Sequence, residues 1–358
     1  MLPGKTLTEL AAELDYQNKI KKDYLLDTRD LTMDADENGA ALTMLNRNTN
    51  TATILGINDI AHMQISQSLG IPLRYYNKMR QENPALLAEN VNAWYNTEPK
   101  TCMVRTLGDT ARAFLSDRYR RIDNYDIASV VLPMLSDLNV KFESNEVTDS
   151  HMYIKVVNER LTREVKPGDY VQSGLMITNS EVGLGTVTIQ PLLYRLVCTN
   201  GMVVNDKKAA SRRRHVGRGN VADENYVLYA DDTLMADNQA LLLKMRDTIK
   251  AALDEVHFTN LVDILHSAAE VRIEAKSIPK MVELAAPEFG FTKAEGEGIL
   301  DHLIREGDMS LYGFSNAVTR FAQDVQSYDR STELEAIGYD VLTMSPRLWK
   351  RLQEADAA

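Results

Sequence analysis

The chain has 358 residues, 44% of them hydrophobic and 25% charged, with a formal net charge of −11. That length allows two or three domains, and the balance is that of an ordinary globular protein with a sizeable core. No apolar run approaches the roughly 20 residues a bilayer-spanning helix needs, so no membrane partner is expected.

The elements follow from periodicity and punctuation. Thr8, Leu10, Ala11, Leu14 and Ile20 predict a first helix ending near Leu25. Short strands are expected over 30–33 and 40–45, then a polar spacer rich in Asn and Thr. Asn58 caps a helix over 59–69 that stops at Gly70, with Pro72 just beyond. Helices over 73–80 and 84–95 complete a mostly helical N-terminal region, 1–98.

The region 99–222 reads as strand-rich. Runs at 102–106 and 111–115 flank the turn signal Gly108-Asp109. A helix capped by Asp123 or Asn124 carries Ile127, Val131 and Leu135 and is kinked or shortened by Pro133. Strands at 140–142, 152–157, 170–178 and 186–197 follow, with a turn at Pro167-Gly168-Asp169 and a Gly183/Gly185 connection. Thr199-Asn200-Gly201 turns the chain again, because Asn-Gly tolerates the positive φ of tight hairpins. An acidic linker (Asp223, Glu224, Asp231, Asp232) opens a helical region, 223–358. One helix begins near Asp237, with an apolar stripe through Met245, Ile249 and Val256. Another is capped by Ser310, and two more cover 333–337 and 346–352. The fold class is therefore α+β, a central antiparallel β-meander backed by helices, with helical N- and C-terminal regions.

Cys102 and Cys198 sit far apart in apolar contexts and read as free thiols of a reducing compartment. The opening residues Met1 to Lys5 lack an apolar signal region. A cytoplasmic location in a bacterial host is expected.

The richest chemical signal is a basic run, Lys207, Lys208, Arg212, Arg213, Arg214, His215 and Arg218, in an acidic protein. Such density neutralises phosphates and releases counterions, and arginine adds a bidentate fork. The competing reading is a solvated loop paired with Asp223, Glu224, Asp231 and Asp232. A second strip, Arg118-Tyr119-Arg120-Arg121, interleaves cations with an aromatic ring, as single-strand binders do. Its competitor is an Arg–Asp network with Asp117, Asp123 and Asp126. Arg195, inside an apolar strand, needs a buried carboxylate.

Other signals are weak. The six histidines lack zinc spacing. Glu143, Glu146 and Asp149 read as a solvated turn before a metal site. No Walker A sequence, dinucleotide loop or nucleophile elbow is present, so no cofactor, metal or catalytic residue is expected.

Several runs carry a resemblance. Ser116-Asp117-Arg118-Tyr119-Arg120, Pro167-Gly168-Asp169, the strand 174–180 and Tyr194-Arg195-Leu196-Val197-Cys198-Thr199-Asn200-Gly201 are the core of it. Leu69-Gly70-Ile71-Pro72 with Tyr75-Tyr76, Leu311-Tyr312-Gly313 and Asn316-Ala317-Val318-Thr319 support it. Together they resemble the phage/plasmid-like family defined by domain of unknown function 932. The resemblance implies occurrence on phages, prophages and plasmids, near replication or recombination genes. It implies no catalytic residues. A strand-rich centre with basic hairpins is also similar to phage single-strand annealing proteins, which bind DNA without ATP and form rings.

The expected function is ATP-independent binding of single-stranded DNA in replication or recombination. Lys207, Lys208, Arg212, Arg213, Arg214 and Arg218 would neutralise phosphates, with Arg118, Tyr119, Arg120 and Arg121 as a second strip. An exposed sheet edge would let copies assemble into a homo-oligomer. Two alternatives stand beside it. One is a host or phage protein-interaction factor. The other is a nucleic-acid-processing enzyme using Asp109, Asp117 or Asp123.

Overall fold

A capping box starts the first helix, α1 (Leu7–Ile20): the Thr6 hydroxyl accepts from the Glu9 N–H while the Glu9 carboxylate accepts from the Thr6 N–H. The computed structural model describes residues 1–36, 39–47, 49–205, 211–213 and 231–354. The expected helix through Leu25 is corrected. The chain turns at Lys21 into a strand, β1 (Lys21–Asp27), because β5 (Thr101–Leu107) pairs with it along its whole length. A distant partner overrides a local preference there.

The first sheet has the order β1-β5-β6-β4-β3-β2, with β2 (Leu31–Asp36), β3 (Gly39–Asn46), β4 (Thr51–Ile57) and β6 (Thr110–Ser116). It is antiparallel except where β4 meets β6 in parallel. The polar spacer expected around residue 50 is largely strand β4, paired with β3 from Ala41↔Gly56 to Asn46↔Thr51. One face of this sheet packs on α2 (Asp59–Ser68), α3 (Leu73–Glu82) and α4 (Pro84–Thr97). Leu42, Met44 and Leu55 meet Ile65, Tyr76, Leu87 and Val91 there. Strands β5 and β6 thus belong with β1–β4 and not with the central meander, and a boundary at 98/99 falls between strands of one sheet.

After α5 (Asn124–Asp137) comes the second sheet, an antiparallel meander ordered β11-β10-β9-β8-β7. Its strands are β7 (Lys141–Val147), β8 (Met152–Lys166), β9 (Asp169–Asn179), β10 (Val187–Arg195) and β11 (Asn200–Val203). A short β12 (Ser211–Arg213) also pairs with β10. The turn expected at Asn200-Gly201 falls earlier: β10 and β11 pair from Arg195↔Asn200, and Thr199 carries the positive φ, +52°. Gly201 serves another end. A Cβ there would stand 2.8 Å from the Met1 sulfur, which packs against this strand.

Strand alternation gives the second sheet two covered faces. Ile154, Val156, Leu175, Ile177 and Ile189 bury against α1, α5 and α6 (Asp231–Ala252). The other face meets the C-terminal helices α7 (Glu255–Glu270), α8 (Ile278–Phe289), α9 (Lys293–Glu306), α10 (Leu311–Phe321), α11 (Tyr328–Leu342) and α12 (Pro346–Gln353). The fold is α+β, with a helical C-terminal region. Among the described residues, no helix is long and apolar enough to cross a membrane.

Candidate functional site

The strip at 118–121 comes apart. The chain turns after β6, and Tyr119 is buried with its hydroxyl donating to the Ser180 carbonyl at 3.1 Å. Its ring lies 3.6 Å from where a Gly183 Cβ would be, so it offers no face for a base. Arg118 is exposed and Arg120 half-buried. Exposed Arg121 stands 3.6 Å from Asp23.

The Arg–Asp network nearby is centred on Arg105 of β5, which the sequence reading missed. Fully buried, it donates to Asp23 at 2.7 Å, Asp123 at 2.6 Å and the Glu181 carbonyl at 2.9 Å. Burial works against the charge of Asp123, but Arg105 and Lys21 outweigh it and hold its carboxyl below the ordinary range. Glu181 accepts from the Asn124 N–H and from Arg112, tying the two sheets together. The enzyme alternative named Asp109, Asp117 or Asp123, and the structure does not bring the three together. Asp123 is engaged by Arg105 and Lys21, and Asp109 and Asp117 flank opposite ends of the seven-residue β6, roughly 26 Å apart. Glu143 and Glu146 likewise hold Tyr194 and Lys5. Among the described residues no group of His, Cys, Asp and Glu is arranged to hold a metal.

Arg195 meets its carboxylates. Its Nε lies 2.8 and 3.0 Å from the two oxygens of Asp169, and Nη1 lies 3.0 Å from Glu306. The guanidinium stands 5.7 Å from the Tyr312 ring centroid, and the Tyr312 hydroxyl donates to Asp169 at 3.1 Å. Asn200 donates to Thr319, whose hydroxyl donates to the Asn316 carbonyl. Gln323 donates to the Cys198 carbonyl at 3.0 Å. Gly313 is forced: a Cβ there would sit 1.9 Å from the Asp308 carbonyl oxygen. Burial, with Glu306 beside it, pushes the Cys198 thiol up, so it stays protonated at neutral pH. Pro167-Gly168-Asp169, the Arg195–Gly201 run, Leu311-Tyr312-Gly313 and Asn316–Thr319 are thus brought to one junction between the second sheet and α10. The chain belongs to the domain of unknown function family DUF932, which it matches over residues 113–338, more than half its length. No curated protein and no solved structure matches it.

The DUF932 match runs from within β6 to within α11, so it takes in the second sheet and leaves β1–β5 outside. A concavity of ≈ 510 Å³ opens between β8, β9 and the start of α11, lined by His151, Tyr153, Met176, Thr178, Asp329 and Arg330 among others. Asp329 accepts hydroxyl bonds from Tyr153 at 2.8 Å, Thr148 at 3.0 Å and Ser150 at 2.6 Å. This is no nucleophile triad. Ser150 bonds Asp329 directly, and the His151 Nδ1 that meets Ser150 at 3.0 Å is also the nitrogen nearest Asp329. Burial pushes the His151 imidazole down, toward its neutral form.

Behind this wall Lys155 is fully buried, 2.7 Å from Glu335, 2.9 Å from Thr332 and 4.7 Å from the Tyr328 ring centroid. Desolvation lowers its pKa against the pull of Glu335. Glu335 Oε1 takes no hydrogen bond among the described residues.

Of the basic run, Lys207, Lys208, Arg214 and Arg218 lie outside the described residues. Arg212 and Arg213 are in β12, opposite Thr188 and Val187 of β10. Thr188 is opposite Thr178, and Thr178 is opposite Tyr153. One cross-strand row therefore leads from the concavity to the basic strand.

Proposed function

We propose that this DUF932 protein binds single-stranded DNA along the β10–β12 edge of its second sheet, without ATP, in replication or recombination of a phage or plasmid-like element. The observation that carries the reading is the pairing of β12 with β10, which ties a stretch of the basic run into the sheet at Arg212 and Arg213. A run of cations in a chain of net charge −11 makes a local field that attracts an anion despite the sum. Arginine forks suit phosphate, and a flexible single strand can follow a twisted sheet edge. The mobile-element setting rests on the family's implied genomic company alone.

The test is fluorescence anisotropy with labelled single-stranded and duplex DNA across a salt series. Changing Arg212, Arg213 and Arg214 together to Ala should weaken binding. If each contacts a phosphate, the log–log salt slope for single strands should shrink by about 2. An unchanged slope defeats the assignment. No binding at low salt moves the basic run to an acidic protein partner, which a nuclease-resistant pull-down would capture.

A further inference from the structure

Of the four strands that end the two sheets, three are closed off. At β2 the Asn92 side chain accepts from the Met33 N–H and donates to the Met33 carbonyl, both at 2.8 Å, standing in for a neighbouring strand. At β7 the Lys5 N–H donates to the Asn145 carbonyl at 2.6 Å, and the Asn145 side chain donates back to the Lys5 carbonyl at 3.1 Å. All four residues of β11 are buried, against α10 and α11. The exception is β1. It holds its register with β5 over seven residues without a bulge or a proline. Two flanking bonds fix which way its backbone points. The Ile20 carbonyl accepts from Gly108 and the Thr28 N–H donates to Lys100, so the even-numbered residues face β5. The N–H and C=O groups of Asp23 and Leu25 therefore point away from the sheet, and no described residue bonds them. The Leu25 side chain beside them is 63% exposed. Charged side chains on an edge guard against strand pairing, but here Asp23 is turned onto Arg105 and Lys21 onto Asp123.

We infer that a second copy of this chain adds its own β1 to this edge, antiparallel, so that a twofold dimer shares one continuous sheet. The occupant follows from the strand's own sequence, Lys21-Lys22-Asp23-Tyr24-Leu25-Leu26-Asp27. The register that pairs all seven residues sets Tyr24 opposite Tyr24 at the twofold axis. Asp23 and Leu25 then exchange backbone bonds with Leu25 and Asp23 of the second copy, and the Asp27 N–H reaches the Lys21 carbonyl. The Lys21 N–H is not needed there, since it closes α1 on the Gln17 carbonyl. The basic end of each strand meets the acidic end of the other, and no like charges are opposed. A shift of two residues sets Asp23 against Asp23 in one direction and Asp23 against Asp27 in the other, so charge selects the register. On the helix-covered face, Tyr24 and Leu26 are half-buried at the rim of the first sheet's core and gain cover from the second copy. The same edge serves both copies, so the pairing closes at two. β1 and β12 lie in different sheets, so the dimer stands or falls apart from strand binding.

The test is the molar mass of the whole chain by sedimentation equilibrium across micromolar concentrations. The expected result is a mass rising from 40.2 kDa toward twice that value. Leu25→Pro removes an outward N–H that β5 does not use, and should weaken the dimer about tenfold or more with the circular dichroism of the fold kept. Leu25→Lys, at the same exposed position, backs up the proline change and should act in the same direction. Tyr24→Cys should form a disulfide between copies on mild oxidation, because this register brings residue 24 beside its own counterpart. The wild type, whose free thiols are buried Cys102 and half-buried Cys198, is the baseline for that cross-link. A monomer at every concentration overturns the inference. So does a dimer untouched by both Leu25 changes, or one that persists in Tyr24→Cys without cross-linking.

Discussion

Both sheets bury cations against carboxylates, Arg105 on Asp23 and Asp123 in the first, Arg195 on Asp169 and Glu306 and Lys155 on Glu335 in the second. The helix-covered core of the first sheet also buries a histidine that no carboxylate bonds: His62 Nδ1 lies 2.9 Å from the Tyr76 hydroxyl, and both side chains are almost fully enclosed. The first arrangement keeps charge inside the protein and depends on every partner staying in place. The second removes charge and depends on the proton staying off. The two arrangements should therefore fail under different insults, one to substitution and the other to acid.

The largest effect should come from Lys155. Replaced by Met, it leaves Glu335 buried with no counter-charge, and loss of one member of a buried pair costs about 3–5 kcal/mol. Changing Glu335 to Leu at the same time should recover most of that loss. Urea unfolding midpoints of the two singles and the double measure the coupling. A double mutant no better than the worse single would mean the pair is not acting as a unit.

How much of this was legible differs between the two sheets. The second sheet's strands show in the sequence because its strands alternate and its hairpins are punctuated, as at Pro167-Gly168-Asp169. The first sheet hides β1, since Tyr24, Leu25 and Leu26 continue the helical pattern of α1 and the partner strand lies some 80 residues on. Arg195 announced its need for a carboxylate by standing in an apolar strand. Lys155, inside the run Met152–Val157, carried the same signal and the same logic would have found it. Tyr119 misled because its arginine neighbours suggest surface, while what buries it is the connection at Ser180 and Gly183. The concavity was invisible: Tyr153 and Asp329 stand 176 residues apart, and an acid in the first turn of a helix reads as an ordinary surface residue.

Acid should find the neutral arrangement. Burial pushes His62 down from 6.5 to about 4. The folded state then binds fewer protons than the unfolded chain between those values, so stability is full above pH 6.5 and drains away as pH falls toward 4. The loss saturates below that, at about 3 kcal/mol. Chemical unfolding of the wild type and His62→Gln between pH 7 and 4 measures it. The variant should start less stable and show a shallower decline, and equal slopes would remove His62 as the cause.

The smallest effect sharpens why His62 titrates low. Desolvation leads, the Arg80 charge lowers the pKa further and the Asp59 charge raises it. Arg80 donates to Asp59 at 2.7 Å in an ion pair that is largely solvated on the Asp59 side. Arg80→Gln should accordingly cost no more than about 1 kcal/mol. It should also let Asp59 act alone on His62, moving the imidazole titration upward by less than about one unit, read from the ring proton shifts by NMR. A larger upward move would make the charge, and not burial, the main reason the proton stays off. The first sheet's core would then be held by an ion pair at its rim, and the contrast between the two arrangements would close.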